Sequence, residues 1–516
     1  MANHAFPALV CVLLYGSISG QDPIWSPDVA NIIYDHCSSC HHEGGIAPFS
    51  LMSYSDVVGA GNVIPGAITT RHMPPWPADP EYRHFSNENV LTQAEIDAVV
   101  DWINFGAPFG DPGLEPTPPV YQPTGSVLTT IDHVVAIEPY TLQSNNDEYR
   151  WFVVENPFSD TVFINKMEVI PGLDAVVHHC DISYDLTGAS LANDLLDPLP
   201  GFNGQTGSPT YSYYMNAWQP GGDVINYPPG WGIAVPPEAD FVLEIHYGPD
   251  AIGQVDSTLI NMQFTAGQEI RPVRVGWLLG QSAPTLVDGP FQLPANTIST
   301  YHQEYTVPTT RSFIGICPHM HLLGKSYKIW YETPGQDSIP LIDIPQWDFH
   351  WQRYYYFQSV EVIPAGSVIK SIGVYDNTFQ NPYNPNIPPQ NVYLGPTTTD
   401  EMFLTFFIWA NYEPGDEFIV LDSTLFAGVD GPPLEDAGWI AFPDPAIDHI
   451  NIGPVRDRDL ERWQIYDPVG KLVREGRVHG ALDAYLTVDL IGLKPSVYRL
   501  VLISPNRVTS RAFVKQ

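Results

Sequence analysis

Between residues 92 and 106 the apolar positions recur at helical spacing, with Ile96, Val99, Val100 and Ile103 on one stripe. Thr92, with Glu95 three residues on, makes a capping box in front of that stripe, and Gly106 ends it. Ser26-Pro27-Asp28 reads as an N-cap with proline at the first helical position, opening another helix that leads into Cys37. Past residue 124 the pattern changes. Short apolar and aromatic runs such as Phe241-Val-Leu-Glu-Ile-His246 and Arg311-Ser-Phe-Ile-Gly-Ile316 alternate with Gly- and Pro-rich turns, and no long amphipathic helix is evident. The pattern predicts a multidomain, mainly β protein with one helical domain near its start.

Four blocks follow from it: a helical block at 22–110, two strand-and-turn blocks at 125–266 and 267–428 that read as β-sandwiches, and a strand-only tail at 440–516. A proline-rich linker at 111–124 separates the first two. At 516 residues the chain is too long for a single core, and its 44% hydrophobic content argues against global disorder.

Charge divides the chain unevenly. The formal net charge is −36, yet residues 456–516 hold 11 of the 22 Lys and Arg against 7 acidic residues. The acidic body repels phosphate backbones and argues against nucleic acid as a partner. An apolar run at residues 5–15, followed by small residues, reads as a secretory signal peptide over 1–20, although no Lys or Arg precedes it. No later run reaches the roughly 20 residues a membrane span needs, so no transmembrane segment is expected.

The first candidate chemistry is Cys37-Ser-Ser-Cys40-His41, the Cys-x-x-Cys-His pattern of covalent c-type haem attachment. Two thiols at that spacing reach the porphyrin vinyl groups while the adjacent imidazole reaches the iron. A thioredoxin-like dithiol would want a βαβ context, and a zinc site a second Cys/His pair nearby; neither is visible. Met73, in Arg71-His-Met-Pro-Pro-Trp76, is the expected second iron ligand, with His72 and His42 as rivals. One haem c is therefore expected, held by Cys37, Cys40, His41 and Met73.

Five of the 16 histidines fall in groups: the adjacent pair His178-His179, His246 at the end of a strand, and His319-Met-His321, whose spacing puts both imidazoles on one face of a strand. Alone, each would more often be a structural histidine. Together, Val177-His178-His179, Glu244-Ile-His246-Tyr-Gly248, His319-Met-His321-Leu-Leu-Gly324 and Asp400-Glu-Met402 match, in order and approximate spacing, the copper type II ascorbate-dependent monooxygenases. Relatives of the peptidylglycine α-hydroxylating and dopamine β-monooxygenases make up that family, and residues 125–428 resemble it. The resemblance implies two jelly-roll-like β-sandwiches, each with one copper. It assigns His178, His179 and His246 to an electron-storing copper. His319, His321 and Met402 fall to the copper that meets dioxygen, which hydroxylates a substrate C–H bond. A thioether favours cuprous copper, in keeping with that second role.

Two departures bear on substrate. Peptide-amidating relatives carry an Arg two residues before the His-x-His and a Tyr four residues after the methionine; here those positions are Cys317 and Phe406. An apolar or uncharged small-molecule substrate fits better than a carboxylate-bearing peptide. Cys180 and Cys317 are the thiols left after haem attachment and the signal segment. An exported protein invites pairing them, but spacing does not decide it.

The tail resembles the type A sorting domain of proteins exported by the type IX secretion system. Carrying the likeness are Phe442-Pro-Asp-Pro445, Trp463-Gln-Ile-Tyr-Asp-Pro-Val-Gly-Lys471, Leu493-Lys-Pro-Ser-Val-Tyr-Arg-Leu500 and Phe513-Val-Lys-Gln516, with Ser496 where the pattern has Gly. This implies a small β-sandwich, the outer-membrane secretion machinery as partner, and a secreted or cell-surface location reached through the periplasm. The combined expectation is a haem–copper monooxygenase using dioxygen and an ascorbate-like reductant or redox protein, with the haem as electron inlet. Its alternatives are a non-hydroxylating electron-transfer or copper-binding protein, and a surface binding module without copper.

Overall fold

The computed structural model describes residues 23–516 apart from 44, 122–125, 127, 129, 204–212, 221, 223, 266, 268–269, 283, 336, 422–439, 443–445, 454–459, 461, 468–471, 478–485, 495, 505–506 and 516. The expected signal peptide and parts of the tail motifs lie outside the described residues. Strand accounts for 41% and helix for 11%, so the protein is mainly β, with many separate sheets and no barrel. The chain divides into two compact units: residues up to Pro74 with Val90–Tyr121, and Pro75–Asn89 with the chain from residue 122 onward.

The first unit is helical: α1 (Asp28–His36), α2 (Tyr54–Gly59), α3 (Ile64–Thr69) and α4 (Gln93–Asn104). Thr92 and Glu95 form the capping box of α4 reciprocally, and Gly106 sits just past its end at φ 88°, where a side chain would be strained. The α4 stripe buries Ile96 and Val99 and adds Trp102, which packs on the fully buried Trp25 at 5.7 Å between ring centroids. Ser26 does not cap α1. Pro27 occupies the N-cap position without a side-chain bond, and the Ser26 hydroxyl instead donates to the Asp111 carbonyl at 2.9 Å. The first free N–H groups of the helix find backbone acceptors instead: Val29 donates to the Ile24 and Trp25 carbonyls at 3.2 Å, and Ala30 to that of Trp25 at 2.9 Å. The expected linker is tied down in part. Trp25 Nε1 donates to Glu115 at 2.8 Å, and Tyr121 stacks on His42 at 4.3 Å.

In the second unit a six-stranded and a five-stranded sheet enclose one core, formed around residues such as Phe241, Leu243, Met167 and Ile233. The five-stranded sheet runs in the order Phe202–Asn203, Glu148–Val154, Asp240–Tyr247, Val177–Asp185, Tyr213–Trp218, all antiparallel. Strand Asp240–Tyr247 is covered on both faces, which is why Phe241, Val242 and Leu243 follow one another without a polar residue between them. Two four-stranded sheets follow. One contains Arg274–Leu279, Leu404–Asn411, Arg311–His319 and Tyr355–Ile363; the other contains Ile298–Thr306, Val368–Asp376, Gly324–Glu332 and Ser338–Ile344. Between them lies a second core around Phe313, Phe407, Tyr327 and Ile329. Pro75–Asn89 packs here too: Phe85 stacks on Phe357, and Arg83 lies over the same ring while pairing with Glu361 at 2.7 Å. Among the described residues the tail builds a three-stranded and a four-stranded sheet around its own core, including Ile450, Ile465, Leu500 and Phe513.

Candidate metal centres

Adjacent residues on a regular strand point to opposite faces, so His178 and His179 should not meet at one ion. A β-bulge resolves this. His246 pairs with His179 across the sheet, but the next residue, Tyr247, pairs with Val177. His178 is thus the extra residue of the bulge, and two histidines oppose one. The ring centroids of His178 and His246 lie 4.8 Å apart, those of His179 and His246 4.9 Å, and those of the adjacent pair 5.8 Å. One ligand nitrogen from each of the three lies within 4.8 Å of the others.

The surroundings prepare these imidazoles as neutral donors. Burial pushes His246 down to about 3, with the neighbouring His178 adding to it, and burial likewise holds His179 and His178 below the ordinary histidine value. His246 Nε2 lies 3.1 Å from Asp147 Oδ1, which fixes the proton on that nitrogen. Its Nδ1 is buried with no hydrogen-bond partner. A buried, unpartnered lone pair costs free energy unless something accepts it, and a metal ion would. Tyr149, opposite His246 on the neighbouring strand, stacks flat on it at 4.1 Å and 6°. The three residues therefore fit a soft or borderline transition metal.

His319 ends strand Arg311–His319, and His321 follows in the turn; their rings stand 5.0 Å apart at 86°. Burial pushes His319 down to about 3, with His321 and then His179 adding through space and an approach by Gln352 opposing. His321 is nearly fully buried, its Nδ1 lies 3.1 Å from the Asp400 carbonyl, and the Thr397 backbone also bonds to the ring. Met402 reaches this turn through Glu401, a fully buried carboxyl. Glu401 Oε2 accepts the N–H groups of His321 at 3.0 Å and Met402 at 3.1 Å, and Oε1 accepts that of Leu323 at 2.6 Å. One side chain thus stitches the His-x-His turn to the methionine's backbone. Gly324 is required just beyond, because a Cβ there would lie 2.6 Å from the Trp347 ring.

A hydrogen bond of 3.2 Å between the Tyr149 and Thr398 hydroxyls joins the three-histidine sheet to the loop carrying Asp400. Cys180 and Cys317 are both buried free thiols. Cys317 pairs across the sheet with Phe406, which stacks on Tyr214 at 4.9 Å and meets Trp277 edge-on at 5.9 Å.

In the first unit, Cys37 ends α1, and the Cys40 and His41 N–H groups turn back on its carbonyl at 3.2 and 3.0 Å, bringing the three attachment residues into one turn. Cys37 and Cys40 are not joined in a disulfide. His41 Nδ1 lies 3.0 Å from the Phe49 carbonyl, so Nε2 is the free donor, as an iron ligand requires. His42 is turned to Ser38 through its Nδ1, 3.0 Å, and is covered by Tyr121. Met73 follows α3, its N–H bonded to the Ala67 carbonyl at 3.2 Å. Residue patterns alone did not single out Asp147, Tyr149 or Glu401. The position of Glu401 beside Met402 was the one available signal.

No protein-family model matches the chain, and no curated protein matches it. Solved structures with some likeness include the sulfur carrier protein SoxY from Chlorobium limicola f thiosulfatophilum, with 12% identity over 19% of this chain and 94% of that one at a TM-score of 0.15. PNGF-II is 8% identical over 54% of this chain and 66% of that one at a TM-score of 0.26. These likenesses are too remote to bear on fold or function.

Proposed function

We propose that the chain is an exported haem–copper monooxygenase: a cytochrome c domain joined to two jelly-roll-like copper-binding sandwiches and a type A sorting tail. The observation that carries the reading is the three-histidine centre, where a bulge and an orphaned Nδ1 direct uncharged imidazoles toward one point. Copper held there and by His319, His321 and Met402 would supply one-electron chemistry toward dioxygen and a substrate C–H bond. Haem on Cys37, Cys40 and His41, with Met73 as its second ligand, would take electrons from an ascorbate-like reductant or redox protein and pass them on.

The chain's own residues set the rest. Burial keeps all five histidines available as neutral donors, so a metal need not displace protons from them near pH 7. Glu401 holds the backbone of Met402 beside that of His321. Cys317 and Phe406, cross-strand partners backed by Tyr214, offer no cation or phenol to a substrate carboxylate, which favours an apolar or uncharged substrate. Metal analysis with an optical spectrum of the mature protein tests the reading. One haem iron and two coppers per chain are expected; zinc, or no metal, in the histidine sites would overturn it. Reduced haem that fails to reoxidise when copper and oxygen are supplied would remove the relay while leaving the hydroxylase.

A further inference from the structure

We propose that His350 is a fourth imidazole donor to the His178–His179–His246 centre, supplied by the segment that follows strand Ser338–Ile344. The proposal rests on the metal-binding reading above and adds a ligand that none of the sequence motifs contains. His350 sits in the short 3-10 turn Phe349–Trp351, and its ring centroid lies 6.3 Å from that of His178 at 75°. Imidazoles sharing one ion through metal–nitrogen bonds of about 2.0 Å have ring centres roughly 5–6 Å apart. The three accepted members span 4.8 to 5.8 Å, so His350 stands at the outer edge of bonding geometry. Its nitrogens are outside the group that already converges within 4.8 Å, so binding would need the ring to turn, which a side chain 55% exposed can do without disturbing a core.

The second observation is how His350 is held. Asp348 Oδ1 accepts the His350 N–H at 2.9 Å and lies 3.2 Å from its Nδ1. That carboxylate fixes the proton on Nδ1 and leaves Nε2 as the lone-pair nitrogen of the neutral ring, the arrangement that orients metal-binding histidines. Asp147 does the same for His246 from the opposite nitrogen. Two carboxylate-held histidines, one from strand Asp240–Tyr247 and one from the 3-10 turn, thus flank His178. Three imidazoles leave one position of a tetrahedral ion open, and His350 is placed to fill it.

There is a consequence for the other centre. Phe349 lies 5.8 Å from His350 and 6.0 Å from His321 by ring centroids, so the turn that closes one site also lines the other. Filling the three-histidine centre would pin this turn in place.

The test is Cu(II) titration of the full-length metal-free protein, with affinity from competition against a chelator and coordinated imidazoles counted by pulsed EPR. His319→Ala removes signal from the second site in every sample. In that background the otherwise unaltered chain is expected to show four imidazoles. His350→Ala should show three, with binding weakened about tenfold to a hundredfold. Asp348→Asn should fall between them, because it loosens the ring without removing it. His350→Gln, which keeps a polar side chain of similar size, guards against a packing effect and should match His350→Ala. Equal imidazole counts and affinities with and without His350 would overturn the fourth ligand while leaving the three-histidine site intact. If the His319→Ala chain takes up no copper, and His246→Ala changes nothing, the metal-binding reading itself falls.

Discussion

His246 concentrates the argument at the scale of single residues. It is buried, pushed toward neutrality, held at one nitrogen by Asp147 and left unpartnered at the other. His246→Ala should reduce bound copper from two ions per chain to one, read by metal analysis, while haem content stays unchanged. Glu401 makes a complementary case, because its value lies in three backbone N–H groups rather than in a ligand bond. Gln at that position keeps the shape, but its amide nitrogen cannot accept an N–H. Glu401→Gln should therefore cost about 1–3 kcal/mol of stability in chemical denaturation and loosen copper at the second site. The histidines themselves were legible as residue types in a suggestive order. Glu401, Asp147 and Tyr149 were not, since carboxyls and phenols that orient a ligand carry no spacing rule of their own.

Among elements, the capping box of α4 and its apolar stripe were readable because a helix satisfies its first turn locally. Thr92→Ala should lower stability by about 1 kcal/mol, seen as a lower melting temperature with haem still attached. The expected Ser26 cap failed for a tertiary reason. Its hydroxyl has a better partner in Asp111, 85 residues away. The bulge at His178 belongs here too. Strand Val177–Asp185 could be anticipated from its composition, but which residue is extruded depends on the partner strand's register. The same cross-strand register sets Glu244 opposite Asp181, two residues from the His246–His179 pair and so on the same face. Burial raises both carboxyls well above their usual range, and Asp181 raises Glu244 further.

For the whole molecule these buried groups predict how stability depends on pH. The carboxyls bind protons more tightly folded than unfolded, so their contribution is complete below about pH 4 and is lost as pH rises through the raised folded values. The buried histidines act in the opposite sense. Neutral when folded, they are protonated on unfolding below about pH 6.5, so stability falls as pH drops toward the depressed values near 3 of His246 and His319. The metal-free protein should melt at its highest temperature in mildly acidic solution and lose stability on both sides, as thermal unfolding across the pH range would show. Asp181→Asn should flatten the alkaline limb and leave the acidic one. The tail's separate core carries another expectation: a chain ending near residue 430 should retain its full copper content.

What the sequence determined by itself was whatever is set by neighbours along the chain. The capped helix, the Cys37-Cys40-His41 turn, the mainly β character past residue 124 and the order of the histidine motifs all follow from local spacing and chemistry. Tertiary structure alone decided which lone pairs converge. The bulge that turns His178 beside His179, the Glu401 clamp, the orphaned Nδ1 of His246 and the approach of His350 each join residues brought together by cross-strand register or by packing between sheets. Those contacts depend on which strands pair and in what register, and that is settled by burying a shared core rather than by any short stretch of chain.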